Sequence, residues 1–133
     1  MRLRLAVCLA CFFGLATTAT AENWKAASDG TLYDTDFVRK DETTGLIVLR
    51  MATGGRAGAL YANWPKSKSP MMVYAVDCDN DQYMDLGLDY DGAHGLPKGW
   101  RKAEKGPDIK AGLGPVGAAV CAMKDTVPKV ALP

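Results

Sequence analysis

Of the four cysteines in this 133-residue chain, two lie in the opening stretch MRLRLAVCLACFFGLATTATA and two, Cys78 and Cys121, lie far beyond it. That division constrains the fold more than any other feature. Arg2 and Arg4 form a basic start, residues 5–15 an apolar run, and Ala19-Thr20-Ala21 an A-x-A cleavage signal, the pattern of an export leader. The run is shorter than the roughly 20 apolar residues that span a bilayer. Cys8 and Cys11 lie inside it, too early for a lipid-anchoring site. Residues 1–21 therefore read as a cleaved signal peptide, and 133 less 21 leaves 112 residues beginning at Glu22. In an oxidising exported compartment, two cysteines in a small domain most often pair. They stand 43 positions apart (121 minus 78), so a bridge would contribute roughly 4 kcal/mol in the chain-entropy account. The alternative, two reactive thiols, has no C-x-x-C spacing behind it, and the one histidine is His94.

The mature part is one domain's worth of chain. Its Lys and Arg number 14 (16 less Arg2 and Arg4) against 15 acids, a formal charge of −1. That balance argues against nucleic-acid binding, which needs a net basic footprint. After the leader, no second apolar stretch reads as a membrane segment. Short strand-like runs dominate: around Trp24, at Gly30-Thr31-Leu32-Tyr33-Asp34, over residues 45–51, 71–78 and 82–90, and at Trp100. Residues 45–51 are continuously apolar and β-branched, the pattern of a well-buried strand. Residues 36–40 read as a helical turn or an extended link. Residues 115–123 read as a short helix with Pro115 in its first turn. Residues 125–133, with Pro128 and Pro133, read as a flexible tail.

Charge is segregated along the chain. Between residues 43 and 76 the only charges are Arg50, Arg56, Lys66 and Lys68; between 77 and 97 they are Asp77, Asp79, Asp81, Asp85, Asp89 and Asp91. Pairing of basic and acidic strands across a sheet accounts for this, as does a two-signed docking surface. Residues 52–70, with three glycines and two prolines, form the best candidate for partner contact. They hold Tyr61 and Trp64 among Arg56, Lys66 and Lys68, residue types that interfaces favour. The competing reading folds Tyr61 and Trp64 back onto the core.

Several motifs suggest chemistry and fall short of it. Asp77, Asp79 and Asp81 occupy positions 1, 3 and 5 of an EF-hand loop, but position 6 is Gln82 and position 12 is Leu88, where glycine and a bidentate glutamate belong. His94, with Asp91, makes only a two-ligand set, short of a structural zinc site. Met51, Met71, Met72 and Met84 read as packing rather than a soft-metal site. Gly112-x-Gly114-x-x-Gly117 matches a dinucleotide fingerprint without the strand that must precede it. No G-x-S-x-G elbow occurs. The expectation is no catalytic residue, no metal and no cofactor.

The order of features carries a resemblance. It rests on Trp24, Tyr33, Asp34, Asp77-Cys78, Tyr83, Trp100, Val116-Gly117 and Cys121, spread over nearly all of the mature chain. In these the chain resembles the surface-adhesin protein E family of bacterial exported proteins. The resemblance implies an antiparallel sheet with a helix packed on it, tied by a Cys78–Cys121 disulfide, over residues 22–124. The family's best-known member binds host matrix and serum proteins; its ligand-binding segment has no counterpart here, so no binding residue is carried over.

The expected fold is thus a small α+β domain, an antiparallel sheet of five or six strands with a C-terminal helix packed on it and one disulfide. The expected role is a non-catalytic binding module for a protein partner, in the periplasm or at the bacterial surface. A periplasmic inhibitor or accessory protein that docks another envelope protein is the alternative, and a small hydrolase ranks last. Strand parity adds one detail. A three-residue loop, Asp79-Asn80-Asp81, pairs Cys78 with Gln82 and Val76 with Met84. That places Met72, Tyr74, Val76 and Cys78 on one face with Met84, Leu86, Leu88 and Tyr90, and points Cys78 inward.

Overall fold

The computed structural model describes residues 23–52, 71–89 and 96–133. The expected leader, the contact candidates Arg56, Tyr61, Trp64, Lys66 and Lys68, and Tyr90, Asp91 and His94 lie outside the described residues.

An apolar run buried on both faces organises everything else. Strand β4 (Ile47–Ala52) carries Ile47, Val48, Leu49 and Arg50, all buried. Its neighbour β5 (Met71–Asp77) pairs with it antiparallel in unbroken register from Ile47↔Val76 to Ala52↔Met71. Next comes β6 (Gln82–Asp89), then the two-residue β7 (Gly106–Pro107) against its start. On the other edge of β4, β2 (Leu32–Asp34) pairs at Met51 and β3 (Arg39–Asp41) at Ile47 and Val48. Outside β2 lies β1 (Trp24–Ala26), and outside β3 lies β8 (Lys129–Val130), the sole parallel pairing among the described strands. The sheet has eight described strands rather than five or six. The surplus comes from two- and three-residue pieces too short to show a periodic pattern. Residues 36–40, open between turn and extension, supply both: a turn through Phe37, then β3.

Helix α1 (Ile109–Ala122) covers one face. It starts six residues before the expected Pro115. Asp108 caps its first turn, accepting from the Ala111 N–H at 2.9 Å, and Gly114 at φ 55° breaks it just before Pro115. The second segment therefore begins where proline is tolerated, as the sequence indicated. Ile109, Leu113, Val116 and Val120 pack onto Tyr33, Ile47, Leu49 and Val76. The opposite face is apolar too: Val48, Val73, Ala75 and Met84 lie under Trp100, which heads a 3-10 turn (Trp100–Lys102) instead of the expected strand. Burial on both faces explains why β4 reads as a continuous apolar run rather than an alternating one.

The β5–β6 turn corrects the parity argument. It has four residues, 78–81, and sets Asp77 against Gln82, Val76 against Tyr83 and Ala75 against Met84. Tyr83 thus joins Tyr74 and Val76 on the helix side, while Met84 and Leu86 fall on the other. The cause is local. The Asp77 carboxylate accepts from the Asn80 N–H at 3.2 Å and the Asn80 side-chain amide at 2.9 Å, closing one more residue into the turn. Residues 125–133, read as a flexible tail, are packed on the domain: β8 pairs with β3, and Leu132 joins the second apolar layer.

Candidate functional site

The Cys78–Cys121 disulfide is present, joining the β5–β6 turn to the last turn of α1 with Cα atoms 5.5 Å apart. Both cysteines pack against the helix-side core, so Cys78 points inward as parity required, although the loop length behind that argument was wrong.

Asp77, at the end of β5, and Asp79 and Asp81, in the turn after it, serve three separate structural roles. Asp77 closes the turn and meets Lys105 at 3.3 Å. Burial, the largest influence, pushes its carboxyl up, but its bonds to Asn80 and Lys105 outweigh this and hold it below 3.8. Asp79 pairs with Lys124 at 2.6 Å. Asp81, at φ 53°, accepts from the Ile109 N–H at 3.0 Å and so satisfies an orphan donor at the start of α1. Among the described residues, no three or more His, Cys, Asp or Glu side chains form a metal-holding group.

The other motifs dissolve in the same way. A Cβ on Gly112 would stand 2.3 Å from the Tyr83 ring, and one on Gly117 would stand 2.3 Å from Ile109 Cγ2. Gly112 allows the helix to approach the sheet, and Gly117 leaves room for Ile109 of the same helix across the Gly114 break. Met71 and Met84 are buried, but Met84 lies on the face away from α1, while Met51 packs on the helix side. They are packing residues on opposite faces.

What the sequence reading missed is the ionic core. Asp34, at the end of β2, and Arg50, in β4, form a buried salt bridge with side-chain exposures of 2% and 1%. Asp34 also accepts from the Asn23 and Asp36 N–H groups, each at 3.1 Å. Burial, again the largest influence, pushes this carboxyl up; the Arg50 bond and the two N–H donors together hold it below its ordinary 3.8. The Arg50 guanidinium lies 4.9 Å from the Phe37 ring centroid and 5.6 Å from that of Trp24. A visible signal existed, since Arg50 is the one charge within the apolar run of residues 45–51.

A second charged node secures the tail. Arg101 donates to both Asp41 carboxylate oxygens from one guanidinium edge, Nη2 at 2.8 Å and Nε at 2.9 Å, and donates to the Leu132 carbonyl at 2.7 Å and the Pro133 carbonyl at 3.2 Å. Trp100 Nε1 donates to the same Pro133 carbonyl at 2.9 Å. The Arg101 hydrogen bonds, opposed by burial and aided by Thr44, hold the Asp41 carboxyl far below the carboxylate range.

Between these nodes lies a cavity of about 210 Å³. It is lined by the buried Val48 and Asp34–Arg50 pair, by Phe37, Leu96, Val130 and Leu132, and by Asp36, Arg39 and Pro133. Six separate parts of the chain meet there: β2, the β2–β3 turn, β3, β4, Leu96 and the tail. The arrangement can enclose an apolar group beside a neutralised charge pair.

Among the described residues no helix is long and apolar enough to cross a membrane. The chain matches no family model, no curated protein and no solved structure.

Proposed function

We infer that the chain is an exported, non-catalytic binding module of the kind its resemblance to surface-adhesin protein E implies, acting on a protein partner outside the cytoplasm. One observation supports this above the others: the register of β4 and β5 runs without a break to Ala52↔Met71. The segment 53–70, with Tyr61 and Trp64 among Arg56, Lys66 and Lys68, therefore leaves and re-enters one end of a disulfide-tied sheet. Binding residues are commonly carried on connections that a rigid scaffold positions, and aromatic and arginine side chains are the usual anchors. The described carboxylates nearest to any cluster, Asp34, Asp41, Asp77, Asp79 and Asp81, are committed to ion pairs, turn closure or helix capping, which favours scaffold over chemistry.

The test uses residues 22–133 with the disulfide intact, immobilised and exposed separately to host matrix and serum proteins and to envelope proteins. Retention of a matrix or serum protein is the expected result. Retention of an envelope protein alone would replace the adhesin reading with an inhibitor or accessory role.

A further inference from the structure

We propose that the cavity over the Asp34–Arg50 pair is a binding site for a small, uncharged aromatic ring system. The site is lined by described residues, so it goes beyond the protein-binding reading and does not depend on it.

Three features define the occupant. The first is size. Protein interiors are close-packed, and an open apolar space weakens the fold that contains it. An engineered apolar cavity of about 150 Å³ admits benzene; about 210 Å³ here leaves room for a fused bicycle. The second is charge. Asp34 and Asp36 are matched in number by Arg39 and Arg50. Arg50 is bonded to Asp34, and Arg39 donates to the Val38 carbonyl at 2.8 Å. The lining side chains therefore sum to no net charge, and small-ligand sites of this kind are mostly apolar with a few fixed polar groups. The third is shape. Phe37, which lines the cavity, already holds a guanidinium 4.9 Å from its ring centroid. The Phe37 ring rewards a flat aromatic surface through stacking or edge contacts that an aliphatic ligand lacks.

Such a ring can arrive as a free molecule or as the side chain of a partner, and the two arms of the test separate these sources. Indole and a peptide carrying one tryptophan between Gly/Ser flanks are each titrated into residues 22–133, with methyl NMR shifts as readout. The proposal predicts that indole shifts the methyls of Val48, Leu96, Val130 and Leu132, and leaves Leu113, Val116 and Val120 on the helix side unmoved. Indole binding alone assigns the site to free aromatics; binding of both assigns it to a side-chain anchor as well. Filling the space with Val130→Phe should weaken indole by about tenfold or more and raise the melting temperature; Leu132→Phe serves the same purpose if that variant misfolds. No methyl shift with either probe, shifts centred on the helix face, or undiminished binding in a folded filled variant would each overturn the proposal.

Discussion

Arg50→Met removes one half of a buried ion pair and leaves the other half in place. Arg50 and Asp34 are 1% and 2% exposed, so the substitution strands a carboxylate where water reaches poorly. Removing one partner of such a pair typically destabilises by about 3–5 kcal/mol. Two local facts set the value near the lower bound. Asp34 keeps its donors from the Asn23 and Asp36 backbones, each at 3.1 Å, and the pair borders the cavity, through which water can enter. About 3 kcal/mol is therefore expected, a large share of the roughly 5–15 kcal/mol that holds a domain folded. Asp34→Asn combined with Arg50→Met removes the charge yet keeps a side-chain carbonyl for those N–H groups. That pair of changes should restore stability to within about 1 kcal/mol of wild type, since an intact buried ion pair is itself a weak source of stability. Urea unfolding followed by circular dichroism reads both, with the single variant's midpoint lower by about 1–3 M at an unchanged slope. A loss under about 1 kcal/mol in Arg50→Met, or a double variant no better than the single one, would refute the reasoning.

Stability should fall on acidification from about pH 5 downward, because Asp34, Asp41 and Asp77 all have folded-state pKa values below 3.8. A depressed carboxyl contributes stability above its unfolded value and loses it as pH drops, so Asp41→Asn should flatten the slope; a flat wild-type profile would contradict this. Reduction of the disulfide, which closes a 43-residue separation, should lower stability by roughly 4 kcal/mol, measured as a shift in urea midpoint with and without reductant. Gly117→Ala should destabilise by about 1–3 kcal/mol despite alanine's better helix propensity, since its Cβ would lie 2.3 Å from Ile109 Cγ2 in the same helix; thermal melting above wild type would show that Ile109 moves aside at no loss.

The parts of this fold legible in sequence are those with a local cause. The run at residues 45–51 announces a strand buried on both faces, the pair Cys78 and Cys121 announces a staple, and Pro115 announces the start of a helical segment. The remainder depends on partners distant in sequence. Asp77 extends its turn to four residues through Asn80, and that single residue moves Met84 and Leu86 to the opposite face. Gly112, Gly114 and Gly117 look like a phosphate-binding motif until Tyr83 and Ile109 are seen beside them. The tail's place in the sheet depends on Arg101, whose contacts with Asp41 and Leu132 span 60 and 31 positions. The cavity is assembled from six such pieces, none of which carries a ligand signature alone.

The most direct test of the binding account is Trp64→Ala in residues 22–133, read by thermal melting and by retention of the captured protein partner in one preparation. The account predicts an unchanged melting temperature with lost retention, because binding would reside in segment 53–70 and stability in the stapled sheet. A lowered melting temperature with retention intact would instead make Trp64 part of the core and contradict the claim.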